Sequence, residues 1–320
     1  MNRCVMLVIT LFFYIKGFSW GFYAHQKINH IAVFLLPPEM MALYKPYLPF
    51  LTEHAVDPDK RRYAVTAEAP RHFMDMDHYK PWDSIPPNWK NAVLKYGEDS
   101  LNKHGIGPWW IQSMMLSLTN AFEKKDIHKI MKLSADLGHY IADIHVPLHA
   151  SSNHNGQHSG QHGIHGFWES RIPELFTETS FDLFIGKASY IKAISPRLWK
   201  VIRQSALAAD TVLRVEKELT QTFREDGKFS YENRNGMIVR QYSTAFSTRY
   251  HDLLNGMVER RMRESIEMVA SCWYTAWVNA GQPNLRELQS SPFSEEELKD
   301  WDELNKQWKE LPIQGRSCTN

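Results

Sequence analysis

The sequence predicts an all-α protein: a single, mostly helical domain with an appended C-terminal helix. Three observations carry this reading. Apolar residues recur at spacings of three and four over long stretches, which is the helical period. Runs that alternate at period two are scarce, and no fixed-period repeat is present. Hydrophobic residues make up 43% and charged residues 23% of 320 positions, the balance of a folded chain with room for one large domain.

The elements follow in order. Residues 1–19 read as an export signal. Arg3 gives a positive start, 5–15 is an apolar run, and Lys16-Gly17-Phe18-Ser19 puts small residues at the third-from-last and last positions before Trp20. The run is too short to cross a bilayer, which takes about 20 residues. The expectation is cleavage after Ser19, giving an exported periplasmic or extracellular protein that is not an integral membrane protein. Loss of Arg3 and Lys16 leaves 35 basic and 36 acidic residues. That near-balance argues against holding nucleic acid or anionic membrane by bulk positive charge.

Helical spacing then predicts helices over 27–35, 109–122, 127–145, 197–223, 244–253, 257–277 and 294–311. The last opens with Ser294 and Glu297, a capping-box pattern, and is expected to pack Leu298, Trp301, Leu304 and Trp308. Segment 150–163 is rich in Ser, Asn, Gln, Gly and His and is the main irregular stretch. Segment 283–292 reads as a linker. The predicted organisation is a signal peptide at 1–19, one domain over 20–281, and a linker with a C-terminal helix over 282–320. Three cysteines are too few for a disulfide scaffold or a cysteine-ligated zinc ribbon. Cys272 and Cys318 survive cleavage, and their sequence separation leaves pairing open.

Helix 127–145 carries the first chemical signal. Ile130, Leu133, Leu137, Ile141 and Ile144 form one apolar stripe. His139 and Asp143 are four apart and share a face nearly opposite it, flanked by Ala135, Gly138 and Ala142. Such a helix is expected to be buried on both sides, and a buried Asp must be paired or hold a cation. Alone, one His–Asp pair is more often a satisfied hydrogen bond than a ligand set. The neighbours change that. His149 follows just past Pro147, and His165 and Glu169 repeat the four-residue spacing. Imidazole and carboxylate at one-turn spacing are the donor types and geometry of a zinc site. Upstream lie His54-Ala-Val-Asp57-Pro-Asp59, then Arg71-His72-Phe73-Met74-Asp75, and at the new N-terminus Trp20-Gly-Phe-Tyr-Ala-His25.

Together these motifs resemble the zinc-dependent phospholipase C superfamily, which includes the single-strand-specific nucleases of the S-one and P-one type. The resemblance runs from Trp20 to about Phe176. It implies a helical domain with three Zn²⁺ ions in a cleft, one bound by the α-amino nitrogen and carbonyl oxygen of the first mature residue. Trp20 falls where cleavage would expose it. The resemblance assigns Asp57, His72, His139 and Asp143 to one zinc, and His149, His165 and Glu169 to a second. Trp20, His25 and Asp143 take the third, with Asp143 as a bridge. Asp59 and His54 are the rivals near Asp57, and Asp57 is preferred. His162 is the rival to His165, which is preferred because only it stands four residues from Glu169. The loop residues His154, His158 and His162 read as solvated or weakly metal-binding.

The implied activity is hydrolysis of a phosphodiester by a metal-activated water. Three zinc ions and three carboxylates leave a surplus of about +3 in the cleft, enough to draw in a phosphodiester. Asp57 is the expected catalytic carboxylate, placed to orient that water or take its proton. Phe73 and Asp75 are expected to stack a base and bond its edge, and Lys60 to face the phosphate. The substrate is single-stranded nucleic acid or a phospholipid, with no obligate protein partner evident. The spacing of Trp20 and His25 looks like the nuclease branch. Glu169 looks like the phospholipase branch, because the nucleases usually carry Asp there. The nucleases also place Arg three residues after the Asp that matches Asp57, where this chain has Lys60. The reading leans to a nuclease, with a phospholipase C as the alternative and a non-catalytic, zinc-stabilised binding protein as the second.

Export is coupled to this chemistry. An amide nitrogen at Trp20 is a poor ligand, whereas a freed α-amine has an ordinary pKa of about 7.7–8.0 and loses its proton readily to a metal. A mature chain carrying one extra residue ahead of Trp20 is expected to lose one zinc equivalent and most activity. Metal analysis beside an activity assay checks this, and three equivalents with full activity in the extended chain would refute it.

Overall fold

The computed structural model describes residues 22–234, 236–288 and 291–316. The proposed leader, Trp20 and Cys318 lie outside the described residues. Helix accounts for 68% of the structure, and the described residues hold one two-stranded sheet, so the predicted all-α class holds.

The first long helix, α1 (Phe22–Val33), starts earlier than the spacing predicted. It buries Ala24, Ile28 and Ala32 along one row and His25, Asn29 and Val33 along the next. Short helical turns follow over 38–84, among them Asp57–Arg61 and Ala69–His72. Two short helices, Trp89–Tyr96 and Glu98–His104, lead to α2 (Gly107–Glu123), with Pro108 in its first turn, where the missing N–H is not needed.

The central helix is α3 (Ile127–His145). The Asp126 side chain accepts from the Lys129 amide at 3.1 Å and caps its start, and Pro147 stops it. Both faces are buried. Ile130, Leu137, Ile141 and Ile144 meet the core on one side, and Ser134, Ala135, Gly138, His139, Ala142 and Asp143 are buried on the other.

The remaining long helices wrap this centre. They are α4 (Ile194–Thr222), α5 (Thr244–Leu253) and α6 (Met257–Asn279). Helix α6 packs on α1, α2 and α3. Its fully buried Trp273 is held in place by its indole N–H, which donates to the Ser134 carbonyl at 3.0 Å. Tyr44 reaches the hydroxyl of the same Ser134 at 2.8 Å. Cys272 is a buried free thiol, pushed up by burial and then by the nearby Glu267 charge. Among the described residues no helix is long and apolar enough to cross a membrane.

Two features differ from the sequence reading. A hairpin, β1 (Phe229–Arg234) paired antiparallel with β2 (Met237–Tyr242), stands between α4 and α5. Its strands mix apolar and polar residues, and Tyr231, Met237 and Ile238 are exposed, so they leave no strong alternating pattern. The C-terminal helix α7 (Glu295–Glu310) has the predicted capping box at Ser294 and Glu297. It docks by fewer side chains than expected. Trp301 meets Phe50 and His54, and Trp308 meets Phe22 at 5.1 Å between ring centroids. Leu298 instead points to solvent at 51% exposure.

Candidate metal centre

The candidate site forms where α1 and α3 meet four short segments. These are the turn Asp57–Arg61, the 3₁₀ turns Ala69–His72 and Pro147–Ala150, and the helical run that begins at Ile164. Each contributes through its local geometry. His139 and Asp143 stack one turn apart on α3. His165 and Glu169 do the same across Ile164–Gly166 and a π-helical turn, Phe167–Arg171, a local widening common at functional sites.

Asp143 is the hub. Its Oδ2 stands 2.9 Å from His72 Nδ1 and 3.2 Å from His139 Nε2. Its Oδ1 stands 3.4 Å from His25 Nε2 and 3.7 Å from His149 Nδ1. Glu169 forms the far end, with Oε2 at 2.7 Å from His165 Nε2 and 3.4 Å from His149 Nε2. His25 lies flat on His139 with ring centroids 3.9 Å apart. All eight ligand candidates (His25, Asp59, His72, His139, Asp143, His149, His165 and Glu169) are buried.

The structure brings Asp59, rather than the preferred Asp57, beside the imidazoles. Asp59 Oδ1 lies 3.8 Å from both His72 Nδ1 and His139 Nε2. Asp57 faces away, holding His54 Nδ1 at 2.6 Å and Lys60 Nζ at 3.1 Å. The cause is helical phase, since residues two apart in a helical turn point about 200° apart. Burial pushes the Asp57 carboxyl up, but His54 and Lys60 outweigh it and hold it below its ordinary value. Asp57 and Lys60, expected as the catalytic carboxylate and the phosphate contact, instead hold each other. Arg62 is the cation beside the cluster, with Nη1 3.5 Å from Asp59.

Backbone and side-chain partners fix the imidazoles. His139 Nδ1 is 2.8 Å from the Ala55 carbonyl and His149 Nδ1 is 2.6 Å from the His72 carbonyl. A carbonyl only accepts, so each Nδ1 carries a proton and each Nε2 turns inward, open to a second proton or to a metal. His72 Nε2 faces buried Glu68 at 3.5 Å. Glu68 is held in turn by Tyr140, by Arg71 at 2.6 Å and by Arg61. Neither Glu68 nor Tyr140 was marked by any local motif.

Of the other histidines, His154 is not solvated as expected but buried edge-on against His165, with ring centroids 6.1 Å apart. His145 is buried with Nδ1 on the Ile141 carbonyl. His154 bonds Gln157, and His158 and His162 are exposed.

The charge balance of the cluster points to cations. Burial pushes His139 down, but the Asp143 and Asp59 carboxylates outweigh it and lift the imidazole to about 9. Burial pushes Glu169 up, but the charge of His165 and hydrogen bonds from His149 and His165 bring it to about 2. Asp143 lies well below its ordinary value; burial opposes this, and the charges of His139 and His149 outweigh it. Three buried carboxylates among five imidazoles demand positive charge, supplied either by protons on the rings or by metal. Among the described residues four groups offer ligand atoms within 4.8 Å of one another: three in the cluster (His25, Asp59 and His139; His72, His139 and Asp143; His149, His165 and Glu169) and a fourth, partly exposed, made by Asp75, His78 and His104. This donor set of nitrogen and oxygen, with imidazoles oriented by carbonyls, suits zinc once the inward nitrogens are unprotonated.

No protein-family model matches the chain, and no curated protein matches it.

Proposed function

We propose that the protein is a zinc-dependent phosphodiester hydrolase, with a single-stranded nucleic acid as the favoured substrate. One observation carries this reading: a single buried carboxylate, Asp143, faces four imidazoles through its two oxygens. A carboxylate so placed can serve two cations at once, the arrangement used to clamp a phosphoryl group. Zinc bound there supplies Lewis acidity and a water acidified to a pKa of about 7.

The chain's own residues do the rest. Asp59, His72, His139 and Asp143 would hold one ion, His149, His165 and Glu169 a second, and His25 with Asp143 and Trp20 a third. Ala55 and His72 carbonyls keep the imidazole lone pairs aimed inward. Asp59 takes the place expected of Asp57 as the carboxylate that orients the attacking water. The resemblance puts an Arg three residues after that aspartate, and counted from Asp59 the residue is Arg62. Its planar fork suits a phosphate better than a lysine ammonium does. This supports the nuclease branch. Glu169 favours the alternative, a phospholipase C.

The deciding measurement is a parallel assay of the mature protein on single-stranded DNA, RNA and phosphatidylcholine, with and without a chelator. The expected result is cleavage of nucleic acid, lost on chelation and restored by zinc, with close to three equivalents bound. Turnover of lipid alone would reverse the branch. No turnover with the metal retained would leave a structural role for the cluster.

A further inference from the structure

The last described residues leave α7 and run back along the turn that carries Asp59. The Gln314 amide donates to the Arg62 carbonyl at 2.8 Å. Its side chain donates to the Tyr63 carbonyl at 3.1 Å and accepts from the Thr66 hydroxyl at 2.6 Å. The Arg62 guanidinium donates to the Arg316 carbonyl. Gly315 has φ +81°, and a Cβ there would stand 2.7 Å from Ala69 Cβ, so the backbone takes this path only with glycine. Beyond it, the Arg316 guanidinium lies over the Phe73 ring at 4.1 Å from the centroid. Nη1 donates to Asp75 Oδ1 at 2.5 Å and Nη2 to the Ser151 carbonyl at 2.9 Å.

We propose that this C-terminal tail is an internal competitor for the substrate, with Arg316 seated where a nucleobase would bind. The inference rests on the nuclease reading above. A guanidinium is flat and presents N–H donors along one edge. The amino-bearing edge of a base such as guanine has the same character, and it would stack on the same ring and donate to the same carboxylate and carbonyl. With Arg316 in place the Phe73 ring is buried, so seat and tail exclude each other. The tail also ties Arg62, the cation nearest Asp59, into its own backbone. A tethered ligand acts at an effective concentration of the order of millimolar. A seat filled nine-tenths of the time weakens apparent affinity about tenfold, since only the open fraction binds.

The test compares the mature full chain with a chain ending at Leu311 and with Arg316→Ala and Arg316→Lys. Guanosine 5′-monophosphate binding by calorimetry and KM on single-stranded DNA are the readouts, with amide hydrogen exchange at Met74 and Asp75 as a third. The expected result is a fall of about tenfold in Kd and KM for the truncated chain and for Arg316→Ala, with kcat unchanged. Arg316→Lys should follow Arg316→Ala, because lysine keeps the charge and loses the flat fork. Kd and KM within twofold of the full chain in every variant would overturn the inference. If no version binds the nucleotide or cleaves DNA, the nuclease reading fails, and exchange decides the tail by itself. Faster exchange at Met74 and Asp75 on truncation then supports a seated plug, and unchanged exchange overturns it.

Discussion

Asp143→Asn is expected to lower kcat/KM on a phosphodiester about a thousandfold and to reduce bound zinc below the parent's content. A thousandfold corresponds to about 4 kcal/mol of transition-state stabilisation at 1.36 kcal/mol per factor of ten. The size follows from position. Asp143 Oδ2 serves His72 and His139 while Oδ1 serves His25 and His149. An amide keeps the shape but loses the charge, and its NH₂ would aim donors either at His139 Nε2, which should be turning a lone pair inward, or at His149 Nδ1, which already carries a proton. On the proposed reading, one substitution thus weakens two metal positions. Metal analysis beside steady-state kinetics checks it, with thermal melting to show that the fold survives. Full zinc content and undiminished activity in the variant would remove Asp143 as the shared ligand.

Gly138→Ala is expected to destabilise the fold by about 2 kcal/mol, although alanine is the better helix former by about 1 kcal/mol. A Cβ at 138 would stand 1.9 Å from Asn29 Oδ1. Asn29 cannot simply swing aside, because it is fully buried and its amide donates to the Leu51 and Ala135 carbonyls at 3.2 and 3.1 Å. Overpacking of this kind costs about 1–3 kcal/mol, and breaking a net hydrogen bond adds about 1 kcal/mol each. The contact joins α1 to α3 beside His25 and His139, so the variant should also bind zinc more weakly. Urea unfolding at fixed zinc checks the stability. Adding Asn29→Ala should give less than the sum of the two single losses, because the two residues share one contact. Unchanged stability in Gly138→Ala would mean the α1–α3 approach is looser than these distances.

Much of the fold and site is legible because it is written locally. The 3.6-residue period over 127–145 and the four-residue spacings of His139 with Asp143 and His165 with Glu169 need no tertiary information. The capping box at Ser294 is of the same kind. What fails is whatever depends on phase or distance. Asp57 and Asp59 are two apart in one turn, and only the seating of that turn decides which of them faces His72. Glu68 and Tyr140 matter because the fold brings them together across 72 residues, and neither carries a pattern of its own. The hairpin at 229–242 leaves the neighbouring apolar residues Met237 and Ile238 both exposed, so it does not alternate clearly. Arg316 is one arginine near the chain end, and its seat on Phe73 and Ser151 follows from the return path of the tail.

The candidate ligands found in the fold all lie between His25 and Glu169, whereas α4, α5 and α6, which wrap the same core, come later in the chain. A chain emerging N-terminus first, as in synthesis, would therefore deliver the whole donor set before its cover arrives. Cations could then be captured while the rings are still open to water, and the later helices would seal them in. On this view the order of the halves along the gene is a loading schedule, and circular permutation that places α4 to α6 first should slow metal uptake.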